Sequence, residues 1–330
     1  REMGLPAFRS KQLFTWLHQK QAANFSEMLN LPVALRQQLA QNWAVDAPVV
    51  SQKQESKDGT VKYLLRLADG NHVEAVLMKY RYGNTLCVSS QVGCRMGCRF
   101  CASTQGGLVR NLTAGEMAGE LYTVQRDSGQ PVSHIVLMGI GEPLDNFGEV
   151  VGFIRLATHP GGQNLSIRNI SLSTCGLVPA IQKLAELRLG LMLSVSLHAP
   201  NDETRSSMMP VNNRYPIAQL MQACRSYQQQ TGRRISFEYA MVQGVNDSPA
   251  HAKQLAGLLR GMGAHINLIP INPVDGSPFG PSQQQNIEEF RSLLEKLGMN
   301  ATVRRRLGTD INAACGQLRQ QAAKEKANEG

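Results

Sequence analysis

From about residue 85 onward, short β-branched apolar runs alternate with helical stretches. The runs are "TLCVSS", "HIVLMG", "NISLSTC", "LMLSVSLH", "ISFEYAMV", "HINLIPI" and "NATVRRR". Helix signals lie between them. Thr113 and Glu116 have capping-box spacing ahead of "AGEMAGELYTVQ". Ser248-Pro249 opens "AHAKQLAGLL", which stops at Gly261. Ile287, Phe290, Leu294 and Leu297 stripe another helix ending at Gly298. Repeated βαβ units imply a parallel sheet, because parallel neighbours are joined only by crossovers. A closed barrel takes about eight units; six or so are present. The expected fold is therefore α/β, a partial (β/α)6-type barrel over residues 85–316, with its chemistry at the C-terminal ends of the strands.

The flanking segments read differently. Residues 1–46 suggest a small helical accessory domain: Ser10 can cap a helix bearing Leu13, Phe14, Trp16 and Leu17, and "NFSEMLNLPVALRQQL" offers two more short helices with Pro32 opening the last. Residues 47–84 hold "VVSQKQES", "VKYLLRLA" and "HVEAVLMKY", separated by "KDG", "DGN" and "YGN", which is hairpin chemistry. An antiparallel meander, a β-hairpin extension of the barrel, is expected there. Residues 317–330 are a polar, charged tail. The chain opens on Arg1, so the native start is expected upstream.

Lys and Arg number 34 against 25 Asp and Glu, a net charge of +9. Such a balance favours a polyanionic partner, with nucleic acid ahead of anionic lipid. Arg304, Arg305, Arg306, Arg110 and the basic N-terminal unit are candidate contacts. No apolar run approaches the roughly 18 residues of a membrane span, and no signal core opens the chain. The seven cysteines are odd in number, which suits a reduced, cytoplasmic compartment rather than a disulfide framework.

Three of those cysteines, Cys94, Cys98 and Cys101, form C-x3-C-x2-C in "VSSQVGCRMGCRFCAS", with Cys87 just upstream. Structural zinc usually takes four ligands from two separated pairs, and no second pair is present. Cys224 has helical spacing with Ile217, Leu220, Met221 and Tyr227, which marks it as core. A [4Fe–4S] cluster on three thiolates leaves one iron open for a ligand. A zinc-stabilised RNA-binding module stays as the non-enzyme alternative, separable by metal content.

C-x3-C-x2-C after a first barrel strand, with Phe100 before its last cysteine and "MGIGEPL" after the next strand, resembles the radical S-adenosylmethionine (SAM) superfamily. The resemblance narrows with "LSTCGLVP", "SLHAPND", "RYPI", "INLIPINP" and "DINAACGQL". In order, and over nearly the whole chain, these motifs are similar to the dual-specificity rRNA/tRNA adenine-C2 methyltransferases. The resemblance implies a radical-SAM barrel, a [4Fe–4S] cluster on Cys94, Cys98 and Cys101, and SAM on the open iron as the source of a 5′-deoxyadenosyl radical. It implies two SAM per methylation of carbon 2 of an adenosine in large-subunit (23S) rRNA and in tRNA next to the anticodon. Direct transfer is ruled out because the adenine carbon and the SAM methyl are both electrophilic.

By the same resemblance Cys315 carries the methyl group as a thioether, Cys87 resolves the enzyme–RNA adduct by a disulfide with Cys315, and Glu74 removes the carbon-2 proton. Read by themselves, Cys315 and Cys87 are small core residues and Glu74, sharing a strand face with His72, Val76 and Met78, is a solvated strand residue. Gly141 and Glu142 are expected at the SAM amino group, Ser173, Ser196, Leu197 and His198 at its ribose and carboxylate, and Asn272 at its adenine or ribose. Cys175 has no role in this scheme and is expected to be structural. The implied partners are rRNA, tRNA and an electron donor such as flavodoxin or ferredoxin, with no membrane, and the chain is expected to be a monomer. Related enzymes methylate carbon 8 of the same rRNA adenine and confer antibiotic resistance; that is the alternative within the class. The unpaired, unstacked base such chemistry needs places the substrate in a loop or junction.

Overall fold

The computed structural model describes residues 5–272 and 276–311. The N-terminal unit holds helices α1 (Ala7–His18) and α2 (Val33–Asn42), with a 3-10 turn at Phe25–Glu27 between them. Ser10 does not cap α1. Pro6 leads into the helix, and the Ser10 hydroxyl, already inside the first turn, donates to the Ala7 carbonyl. Phe25, Met28, Leu31, Leu35 and Leu39 close a satellite core. The unit docks on the barrel at His18, whose Nδ1 lies 3.0 Å from the Tyr122 hydroxyl and whose carbonyl accepts from Gln163 at 2.7 Å.

Strands β1 (Val49–Glu55), β2 (Val61–Arg66), β3 (His72–Tyr80) and β4 (Gly83–Cys87) form the expected antiparallel meander. Gly83 makes the last turn possible: its φ is 127°, and a Cβ there would lie 2.1 Å from Ser133 Oγ. A small hairpin, β5 (Gln91–Gly93) with β6 (Leu108–Asn111), frames the cysteine loop. The alternation then follows: α3 (Ala114–Ser128), β7 (His134–Leu137), α4 (Phe147–Thr158), β8 (Ile170–Thr174), α5 (Val178–Glu186) and β9 (Met192–Ser196). It continues through α6 (Asp202–Met208), α7 (Ile217–Thr231), β10 (Ile235–Met241), α8 (Pro249–Leu259), β11 (His265–Pro270), α9 (Gln284–Lys296) and β12 (Asn300–Val303). Thr113 and Glu116 form a complete capping box on α3.

One ten-stranded sheet runs β1-β2-β3-β4-β7-β8-β9-β10-β11-β12. β4 is its pivot, antiparallel to β3 and parallel to β7, so the meander continues the barrel sheet. β1 and β12 are the two edges. Alternation along each strand separates two environments. Val73, Ala75 and Leu77 of β3 and Ile235, Phe237, Tyr239 and Met241 of β10 pack into the main core. Glu74, Val76 and Met78, and Ser236, Glu238 and Ala240, take the opposite, inner face. After β12 the chain crosses to the β1–β2 turn, where Gly308 N–H donates to Asp58 Oδ2 (2.9 Å) and Lys57 N–H to Asp310 Oδ2 (3.1 Å). No described helix is long and apolar enough to cross a membrane.

Candidate active site

The strand ends open into a cavity of about 580 Å³, ordinary for a cofactor or ligand site. Cys94, Cys98 and Cys101 line it from the loop between β5 and β6. The loop is held by backbone: Cys94 N–H donates to the Gly107 carbonyl (2.9 Å), and Thr104 Oγ1 donates to the carbonyls of Cys98 (3.2 Å) and Cys101 (3.0 Å). Burial pushes the Cys94 thiol up to about 12 and the Cys98 thiol higher still, with the neighbouring thiols adding repulsion. Three thiols in one wall, Cys94 and Cys98 buried and Cys101 half-buried, become stable thiolates when a metal supplies the missing charge. Among the described residues no three Cys, His, Asp or Glu side chains converge on a single-ion site. A cubane does not require convergence, since its thiolates bind separate irons. Ser103 adds a buried hydroxyl with no partner among the described residues, on the same wall. The donor set fits a [4Fe–4S] cluster.

Opposite the thiols, the loop after β7 passes close over the segment after β4. Gly139 N–H donates to the Val88 carbonyl (3.1 Å) and Ser90 N–H to the Ile140 carbonyl (2.9 Å). A Cβ on Gly139 would sit 2.7 Å from Val88 O, and one on Gly141 2.6 Å from Gln91 Cβ, so only glycine fits at either position. Glu142 follows, 3% exposed, its Oε2 accepting from Cys175 N–H (2.7 Å) and its Oε1 from Leu144 N–H (3.0 Å). Burial raises its carboxyl, and these amides oppose the rise. Among the described residues Glu142 forms no ion pair, so its remaining lone pairs can take an ammonium.

Ser173, Ser196, His198 and Asn272 all line the same cavity. His198 is in the left-handed region (φ 57°), and its ring meets Phe100 edge-on at 4.9 Å. Its Nδ1 accepts from Ala240 N–H (2.9 Å), which puts the ring proton on Nε2. Burial, with the Arg205 charge nearby, lowers it to about 3, so the imidazole is neutral. Leu197 departs from its expected place: its side chain is fully buried in the main core, its N–H goes to the Glu238 carbonyl (3.1 Å), and its carbonyl accepts from Arg205 Nε (3.1 Å).

Cys87 is 4% exposed at the end of β4 and clusters with Val76 and Met78; Leu307 of the crossing segment packs against this cluster. Val76, Met78 and Leu307 line the cavity. Glu74 is not solvated: it is 2% exposed and ion-paired at 3.2 Å to Lys62 Nζ, itself fully buried. Ser89 Oγ joins this strand to the glycine loop, donating to the Glu74 carbonyl (2.7 Å) and accepting from Ile140 N–H (3.0 Å). Cys315 lies outside the described residues. Cys175 is 6% exposed, and it too lines the cavity.

Arg304, Arg305 and Arg306 line the cavity as well. Arg110 does not offer the free charge expected of it, since Asp69 (2.6 Å) and Glu116 (2.7 Å) hold its guanidinium. Several site residues escaped the sequence reading. Arg205, fully buried, donates to the carbonyls of Cys175 (2.6 Å) and Ser196 (3.2 Å) and so fixes two strand ends. Nothing in sequence distinguishes such an arginine from a solvated one. Glu238, in the cavity and hydrogen-bonded by Asn267 (2.7 Å), did leave a signal: it sits in period-two alternation inside an apolar strand.

Two family models match the chain: the radical SAM superfamily over residues 88–256, and the ribosomal RNA large subunit methyltransferase N-terminal domain over residues 1–45. A probable dual-specificity RNA methyltransferase RlmN from Lachnoclostridium phytofermentans is 53% identical over 96% of this chain and 89% of its own length. One of the same name from Clostridium perfringens is 50% identical over 99% of this chain and 94% of its own. The crystal structure of a radical SAM methyltransferase from Sphaerobacter thermophilus superposes with a TM-score of 0.92 at 45% identity, covering 96% of this chain and 94% of the other.

Proposed function

The chain belongs to the RlmN family of radical SAM dual-specificity RNA methyltransferases, and from that membership we propose that it methylates carbon 2 of a specific adenosine in large-subunit rRNA and in tRNA, next to the anticodon, through a methylated Cys315. The radical SAM family carries a [4Fe–4S] cluster and SAM, which when bound supply a radical able to remove hydrogen from an unactivated C–H bond. Cys94, Cys98 and Cys101 would hold the cluster. Gly141 and Glu142 would hold the SAM ammonium, with Ser173, Ser196, His198 and Asn272 around the rest of the molecule. The main chain at Leu197 supports that wall from behind.

The chain's own residues do the remaining work. The Cys315 thiolate takes a methyl group from SAM, whose remainder leaves as S-adenosylhomocysteine, and presents it to the base as a thioether. Glu74, held by Lys62 on the inner face beside Val76 and Met78, accepts the carbon-2 proton. Once the thioether carbon, less one hydrogen, is bonded to carbon 2, Cys87 attacks the Cys315 sulfur: the disulfide forms, the S–C bond to the base breaks, and its electron pair stays with the base, which takes up a proton to complete the methyl group. The crossing segment supports this pairing, because Leu307, eight residues before Cys315, packs against the cluster that Cys87 forms with Val76 and Met78. Arg304 to Arg306 attract the phosphates. Electrons come from a small donor such as flavodoxin or ferredoxin, and the RNA is met in the cytoplasm by a monomer.

One observation carries this reading: three cysteine thiols, Glu142 and the arginine run share a single cavity, with Cys87 packed behind its wall. The test is nucleoside mass spectrometry after incubating the loaded enzyme, SAM and a reductant with unmodified rRNA and tRNA. The expected product is 2-methyladenosine in both. 8-Methyladenosine as the only product would overturn the carbon-2 assignment.

A further inference from the structure

The β3–β4 hairpin carries an aromatic stack that the methyl-transfer chemistry leaves unused. The rings of Tyr80 and Tyr82 lie 7° from parallel with centroids 4.9 Å apart. His134, at the start of β7, meets Tyr82 edge-on at 4.9 Å. The inner ring belongs to the cavity: Tyr80 lines it, and its hydroxyl reaches Met78 Sδ at 3.7 Å. The outer ring faces solvent, with Tyr82 63% exposed. Stacking across a turn steadies a hairpin, but that role still leaves Tyr82 largely exposed.

The surroundings are cationic. Lys79 and Arg81, both exposed, bracket Tyr80 in the turn. Arg304 and Arg305 line the cavity, and their charge opposes the rise that burial causes in the Tyr80 hydroxyl. Among the described residues none of these four cations is ion-paired. The cavity therefore continues across Tyr80 to an exposed aromatic ring with cations beside it. Single-stranded nucleic acid takes this combination: bases stack on aromatic faces and phosphates lie along the cations. A base extruded into a cavity also leaves its neighbours partly unstacked.

We infer that Tyr82 is a stacking platform for a nucleotide flanking the target adenosine, with Arg81 and Arg305 on the adjoining phosphates. The inference rests on the RNA-methylation reading above and adds the direction in which the strand leaves the cavity.

The experiment is fluorescence anisotropy of a fluorescein-labelled RNA stem-loop, with one unpaired adenosine in its loop, titrated with the cluster-loaded protein at several salt concentrations. Tyr82→Ala is expected to weaken binding by about fivefold to a hundredfold, with the slope of log affinity against log salt unchanged. Tyr82→Phe should stay within about twofold of the parent, since it keeps the ring. Tyr82→Leu, which keeps apolar bulk in the hairpin, should lose as much as the alanine variant. Arg305→Ala should shallow the salt slope by about 0.7, one single-strand phosphate contact. Equal affinity of Tyr82→Ala and parent, or Tyr82→Leu binding as well as Tyr82→Phe, overturns the platform. RNA methylation by the parent is measured alongside. A parent that methylates RNA while Tyr82→Ala binds normally sinks only the platform; a parent that neither binds nor methylates RNA sinks the RNA reading and the platform with it.

Discussion

Glu142 and Glu74 are both buried, at 3% and 2% exposure, yet they are held in different ways. Glu142 belongs to the parallel half of the sheet, and backbone N–H groups of Leu144 and Cys175 hold it. Glu74 belongs to the antiparallel half and is held by a resident cation, Lys62. A carboxylate held by amides keeps its attraction for an incoming ammonium. One that already has an ammonium beside it is held in place and has less attraction for a second cation. The parallel half therefore offers a carboxylate open to a cationic ligand, and the antiparallel half a carboxylate fixed by its own cation.

The largest expected effect is at the ion pair. Lys62→Met leaves Glu74 buried beside an apolar side chain and should cost about 3–5 kcal/mol in urea denaturation. Adding Glu74→Leu to that variant should recover most of the loss while abolishing RNA methylation. If Lys62→Met is as stable as the parent, the pair is not what holds Glu74. Glu142→Gln should cost less stability, about 1–3 kcal/mol, because one backbone N–H loses its acceptor. Calorimetry should show SAM affinity falling by about tenfold or more, the loss of a charge-assisted contact. An unchanged SAM affinity would remove Glu142 from the ligand site.

The smallest effect is expected at Asp58, which ties the crossing segment to the antiparallel half. Burial pushes its carboxyl up, but donation from the Gly308 and Thr60 N–H groups outweighs this and holds it down to about 2, against 3.8 ordinarily. With the folded value depressed, the anchorage is fully present above 3.8 and is lost as pH falls through about 2. Asp58→Asn at neutral pH should speed amide exchange at Gly308 by about two- to fivefold, the range of an exposed charged contact. No change would mean that the segment is held elsewhere.

The parallel half was the more legible in sequence. All seven of its apolar runs became strands, β4 and β7 to β12, because buried parallel strands read as near-continuous apolar segments. The cysteine loop and the glycine loop were legible because their chemistry needs particular residues at fixed spacing. Glu74 was not: its environment comes from Lys62, and the strand pairing that joins them cannot be read from alternation alone. Arg110 was misread for a similar reason, since one of its two carboxylate partners, Asp69, comes from 41 residues earlier in the chain. Leu197 was carried along with its neighbours Ser196 and His198, but alternation turns its side chain into the core.

What this contrast between the two halves means for the chemistry depends first on what the three thiols hold. Metal analysis of anaerobically purified protein tests this most directly. A brown protein with about four irons per chain, the content of one cubane, is expected, with the iron retained in Glu74→Gln and lost in Cys94→Ala. A colourless protein carrying zinc, or iron that survives in Cys94→Ala, would contradict the cubane on these thiols.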